Sequence, residues 1–199
     1  MTLRCAGFLL TCASLTVADS ANYTYWIAPC EDARSQCQPG DPQLATWAMA
    51  AWQNAAPGAL RLEPAKNREH ARIRLYWATS EQGLYGEARP ILVDGKRGAE
   101  VYVRPAPFDT QADQLLRETI VYLTCLHETG HALGLPHTAD FADIMYSFQY
   151  GGDIPEYFAR YRRKLTKRED IRKNDGLSDA DKARLKESVF IRVNPLPKN

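Results

Sequence analysis

Three of the four histidines in this 199-residue chain fall within one short run, His127-Glu128-Thr129-Gly130-His131-Ala132-Leu133-Gly134-Leu135-Pro136-His137. On a helix, residues four apart stand one above the other with Cβ atoms about 5–6 Å apart, so His127 and His131 can reach one ion. Glu128, one residue round the helix, is poorly placed to ligate but well placed to touch a water beside the metal. Gly134 permits the positive φ that ends a helix and turns the chain back, which brings His137 round as a third nitrogen donor. Three neutral imidazoles with a fourth position open are the donor set of catalytic zinc, and its usual chemistry is hydrolysis. Taken as satisfied core histidines, the pair would leave Gly134 and the neighbouring glutamate without a reason. A purely structural zinc would want a fourth protein ligand, and Cys125 lies about 200° round the helix from His127, on the wrong face.

The surrounding pattern supplies the elements that must position these groups. Leu116, Ile120 and Leu123 mark one helical face, and continuing that stripe by fours lands on His127 and His131. Thr110 and Asp113 form a capping pattern, so the spacing predicts a helix of some 23 residues from near Thr110 to Gly134. An earlier helix is predicted with Asp41 as N-cap, Pro42 in its first turn, and Leu44, Trp47, Ala48, Ala51 and Trp52 on one face. Strand-like runs are Tyr23–Ile27, Leu60–Leu62, Ala71–Ala78, Gly83–Ala88 and Ala99–Arg104, with Asp94-Gly95 as a turn between the last two. After the histidines the chain reads as largely irregular until Ser178 and Asp181 cap a last helix carrying Leu185 and Val189. The expected class is α+β: a mixed sheet of about five strands, two long helices and a C-terminal helix.

His-Glu-x-x-His-x-x-Gly-x-x-His over 127–137, followed by Asp143-Ile144-Met145-Tyr146, resembles the metzincin metallopeptidase signature with its methionine turn. Thr138 and the turn sequence look most like the matrixins, the matrix-metalloproteinase-type catalytic domains, and the order of elements agrees over roughly residues 22–190. The resemblance implies a zinc endopeptidase with one catalytic Zn2+ on His127, His131 and His137, Glu128 as the catalytic residue, and Met145 as an apolar floor. It implies a protein or peptide substrate lying antiparallel to the edge strand near Gly83–Ala88, with Phe148 or Tyr150 as a pocket wall. Ser147 stands where some metzincins carry a further tyrosine ligand, so no such ligand is assigned. The chain departs from animal matrixins in keeping only His70 outside the motif, too few for their second zinc, which leaves calcium in doubt too. A latency motif and a propeptide of useful length are not recognisable before Tyr23. The alternative from another class is a non-catalytic zinc-binding module that retains the peptidase fold, against which the retained Glu128 weighs.

Composition sets the remaining bounds. Hydrophobic residues at 45% and charged residues at 25% suit a globular domain, and no run of 18 apolar residues exists to span a membrane. Lys plus Arg at 25 against Asp plus Glu at 24 gives no global field for nucleic acid, and a monomer is expected. Arg4 ahead of the apolar stretch Cys5–Ala18 reads as a signal peptide over 1–20, with a secreted or periplasmic destination. A lipoprotein anchor at Leu9-Leu10-Thr11-Cys12 is the lesser reading, because Thr11 precedes the cysteine. In an oxidising compartment Cys30 and Cys37 would pair across a short polar loop, leaving Cys125 as a small buried hydrophobe. The catalytic domain is then expected over 21–199, with a basic insertion at about 151–176. From Arg160 to Lys173 there are eight basic and two acidic residues. That segment is either a solvated surface or an exosite for an acidic partner.

Overall fold

The computed structural model describes residues 20–79, 85–105 and 113–193. Residues 1–19 of the expected signal peptide, the first residues of the predicted Gly83–Ala88 strand, and Thr110 lie outside the described residues. The five strands are β1 (Ala21–Ile27), β2 (Leu60–Pro64), β3 (Ile73–Trp77), β4 (Gly86–Val93) and β5 (Lys96–Val103). They form one mixed sheet in the order β2-β1-β3-β5-β4, parallel except for the antiparallel β4–β5 pair. Residues 73, 75 and 77 of β3 and 99, 101 and 103 of β5 are buried, while the residues between them are half-exposed. That period of two means only one face of the sheet is covered.

The cover is made by α1 (Asp41–Ala55) and α2 (Gln114–Ala132). Leu44, Ala48, Met49 and Trp52 of α1 are almost wholly buried, and the Trp52 indole donates to the Leu126 carbonyl of α2 at 2.8 Å. Asp41 is the first residue of α1 and not its cap, a position taken by Gly40. Its carboxylate is instead drawn inward, where Arg117 of α2 grips it with two bonds of 2.8 and 2.6 Å. The start of α2 is likewise later than the pattern suggested. Asp113 is the cap, accepting from the Leu116 N–H at 2.9 Å, and the helix has 19 residues.

β4 and β5 are longer than the sequence suggested and run into the turn at Asp94 and Gly95, whose φ values are 50° and 73°. Arg89, Pro90 and an exposed Leu92 disguise β4 because, as the edge strand, it has little to bury. The expected irregular tail is also corrected. It holds α3 (Ile154–Arg162), capped by Asp153 onto the Glu156 N–H at 3.0 Å, ahead of α4 (Asp179–Val193). Tyr157, Phe158 and Tyr161 of α3 are buried, a face that the interspersed arginines conceal in the sequence. Cys30 and Cys37 are disulfide-bonded, and Cys125 is free and fully buried.

Candidate active site

His127 and His131 sit one turn apart near the C-terminal end of α2, and the helix stops at Ala132. Gly134 adopts φ 83°, the Leu135 N–H bonds back to the Gly130 carbonyl at 3.0 Å, and the chain returns toward the helix. The return is fixed by the methionine turn. Thr138 donates its N–H to the Met145 carbonyl at 2.8 Å and accepts from the Ser147 N–H at 3.1 Å. That short parallel bridge holds His137 opposite the other two rings. Candidate ligand atoms of the three histidines all lie within 4.8 Å of one another.

The hydrogen bonds determine which nitrogen faces inward. Nδ1 of His127 lies 2.6 Å from the Ile144 carbonyl and Nδ1 of His131 lies 2.9 Å from that of Leu135. Carbonyls only accept, so both rings carry their proton on Nδ1 and present a bare Nε2. Those atoms stand 3.2 and 3.0 Å from Nε2 of His137, whose single proton could satisfy only one of them. Tetrahedral zinc with Zn–N of about 2.0–2.1 Å wants its nitrogens about 3.3–3.4 Å apart. The donor set therefore fits a zinc ion. Burial pushes the His127 pKa down to about 3, with the neighbouring His131 adding to the shift, and burial also lowers those of His131 and His137. All three are neutral at pH 7, as ligation requires.

Glu128 is buried, and its side chain lines the same cleft as the three rings. Burial, and secondarily Glu87 of β4, push its pKa up to about 8. A cation held by the histidines would pull it back toward the ionised form. Gly86, the first residue of β4, has no side chain where it passes Glu128. A Cβ there would stand 2.7 Å from the Glu128 Cγ and 2.9 Å from Oε1. Met145 is fully buried beneath α2, against Gly130. Beneath the turn, the Asp181 carboxylate accepts from the Ile144 N–H at 2.8 Å, and that of Asp143 accepts from the Ser178 hydroxyl at 2.6 Å.

The cleft has a volume of about 630 Å³ and runs from the edge strand across the histidines to an aromatic wall of Tyr146, Phe148, Tyr157 and Phe158. Phe148 thus lies where a pocket wall was expected, whereas Tyr150 is exposed and outside the lining. His70 is exposed and remote in sequence from this cluster. Gly86, Gly130 and Asp181 were not foreseen as parts of the site. Asp181 carried a signal only as a helix cap, and the two glycines carried none, since close approach depends on tertiary packing.

A mixed sheet with an antiparallel edge strand, a helix carrying two histidines, a third histidine after a glycine turn and a buried methionine beneath them define a metzincin catalytic domain. The sequence model of the matrixin peptidases matches residues 19–157, and the chain belongs to that family. Matrixins are zinc-binding metallopeptidases.

Proposed function

We propose that this chain is an active zinc endopeptidase exported from the cytoplasm, with His127, His131 and His137 as the metal ligands and Glu128 as general base and acid. The single observation behind this reading is the convergence of three neutral Nε2 atoms beside a buried carboxylate in an open cleft. Bound zinc would supply a Lewis acid that polarises the scissile carbonyl and makes water acidic enough to be used near neutral pH. Glu128 takes the proton from the attacking water and passes it to the leaving nitrogen. The substrate lies extended along the free side of β4, adding a strand to the sheet edge, with one side chain directed toward Phe148. The Cys30–Cys37 bond and the signal-like sequence of residues 1–20 support an oxidising, extracytoplasmic destination. Among the described residues no helix is long and apolar enough to cross a membrane.

Glu128→Gln and His131→Ala together test the reading. Glutamine keeps the shape but cannot accept the proton. The first variant should hold about one zinc while hydrolysis of a quenched peptide library falls by 10²–10⁴, the usual range for loss of a general base. The second should lose metal and activity together. Wild-type protein that holds zinc by mass spectrometry yet cleaves nothing offered would favour the binding-module alternative.

A further inference from the structure

Seven of the eight basic side chains from Arg160 to Lys173, all but Lys167, fall into two sets. One set is engaged by other side chains of the fold. Arg162 pairs with Asp113 at 3.2 Å, Arg163 with Glu156 at 2.5 Å and Arg168 with Glu118 at 3.7 Å, while Arg172 lies over Trp47. The other set converges. Arg160, Lys164 and Lys173 line, together with Lys182 of α4, a second cavity of about 470 Å³ between α2, α3 and the start of α4. Its only carboxylate, Asp175, is already held by Lys182 at 2.9 Å and by the Leu177 N–H at 3.0 Å. The Ser178 hydroxyl in the wall donates to Asp143. Among the described residues neither Lys164 nor Lys173 has a carboxylate within ion-pairing distance. Arg160 is held over the rings of Phe141 and Tyr157, 4.6 and 4.5 Å from their centres, which keeps its charge at the cavity wall.

Like charges gathered around a concave surface repel one another, and a ligand of opposite charge relieves that repulsion. The apolar part of the wall, Leu123, Tyr157 and Leu177, suits the carbon stem of a side chain as well as its charged end. Leu123 and Tyr157 also line the metal-centre cleft, so the two cavities share a wall. We propose that this cavity is a receptor for a carboxylate-bearing segment of a polypeptide, distinct from the histidine site and adjacent to it. As a peptidase exosite it would select substrates that carry an acidic stretch away from the scissile bond. That last step rests on the peptidase reading, whereas binding itself does not.

Equilibrium binding to the full chain tests the site without turnover, so an inactive enzyme would leave the outcome readable. The probes are a capped hexaglutamate peptide, a hexaglutamine peptide and inorganic phosphate, titrated at low and at moderate ionic strength. Hexaglutamate should saturate one site, weaken as salt rises, and bind at least 10-fold more weakly to K164Q/K173Q. R163Q/K167Q removes the same two charges from the segment outside the cavity and should bind as wild type. Lys164 and Lys173 are exposed, so their replacement should leave the fold unchanged by circular dichroism. Equal binding of hexaglutamine, or equal binding by the double variant, overturns the proposal. Tight phosphate binding with no hexaglutamate binding overturns it as well, in favour of a small free anion. If cleavage also uses the site, kcat/KM for a peptide with an acidic tail should fall in K164Q/K173Q while a neutral peptide is unaffected.

Discussion

Nδ1 of His127 lies 2.6 Å from the carbonyl oxygen of Ile144, the residue just before Met145. One bond therefore sets the tautomer of a candidate ligand and ties α2 to the methionine turn. The turn in turn hangs from α4. Asp181 accepts from the Ile144 N–H, and Asp143 is bridged to Ser178 and to Arg184 at 2.5 Å. The position of the His127 ring thus depends on a helix some fifty residues away in sequence.

That dependence has a pH signature at Asp143. Burial alone would raise its pKa, but the hydrogen bonds from Ser178 and Arg184, with the Arg184 charge, outweigh it and hold the carboxyl below its usual value. A lowered folded-state pKa contributes stability above the unfolded value of about 3.9, and the contribution is lost as pH falls through the folded value. Asp143→Asn should therefore be less stable than wild type at pH 7, by about 1–3 kcal/mol. The gap should narrow as pH falls from the unfolded value of about 3.9 through the lowered folded value. Urea unfolding of the metal-free proteins at pH 7 and across the acid range measures it, and a gap unchanged by acid would sink the argument.

Gly130 occupies one of the variable positions of the histidine motif, yet the structure leaves it no room. A Cβ there would run into the Met145 sulfur and lie 3.0 Å from Trp52 Cζ2. Alanine gains about 1 kcal/mol of helix propensity over glycine, whereas overpacking a dense core typically costs 1–3 kcal/mol. Gly130→Ala should thus lower the melting temperature, and it should also weaken zinc binding by shifting the floor under the rings. A variant as stable as wild type, with unchanged metal affinity, would show that Met145 moves aside freely.

The histidine cluster was legible because it depends on local spacing. Two imidazoles at i and i+4, and a glycine three residues before the third, need only helix geometry and one positive φ. What the sequence hid was long-range. Of the Arg117–Asp41 pair, Asp41 looked like a helix cap and Arg117 gave no signal, because buried charge has no local pattern. α3 was missed because its buried face, Tyr157, Phe158 and Tyr161, is interleaved with Arg160, Arg162 and Arg163. β4 was read short because an edge strand beside an open cleft need not alternate cleanly.

Arg117 is 5% exposed and Asp41 1%, so neither charge has water as a substitute partner. Asp41 also accepts from the Gln38 N–H at 2.8 Å, and Arg117 donates to the Gln36 carbonyl at 3.3 Å, which docks the loop closed by Cys30–Cys37 onto both helices. Removing one partner strands the other, at a cost of about 3–5 kcal/mol. Arg117→Met should be destabilised by that amount in chemical denaturation. A loss under about 1 kcal/mol would mean that the carboxylate finds solvent after all.

Gly86 offers a test of geometry at the carboxylate itself. It begins the edge strand with its backbone against Glu128, and a methyl group added there would stand 2.7 Å from the Glu128 Cγ and 2.9 Å from both Oε1 and Thr124 Cγ2. Thr124 is short and β-branched, whereas Glu128 has three side-chain torsions and lines the open cleft, so the glutamate is the part that can give way. Gly86 has no positive φ, so alanine brings no backbone strain, and the nearest atoms to its added methyl belong to Glu128 and Thr124 rather than to the three imidazoles. Gly86→Ala should then keep its zinc content and its stability to within about 1 kcal/mol. Its kcat should nonetheless fall by as much as 10²-fold, the effect expected of displacing a proton-transfer group by about 1 Å. KM should change little, since the hydrogen-bonding edge of β4 is intact. Steady-state kinetics beside metal analysis separate the outcomes. Unchanged kcat would mean that Glu128 tolerates the shift, and loss of zinc would mean that β4 supports the histidines more directly than its contacts with Glu128 suggest.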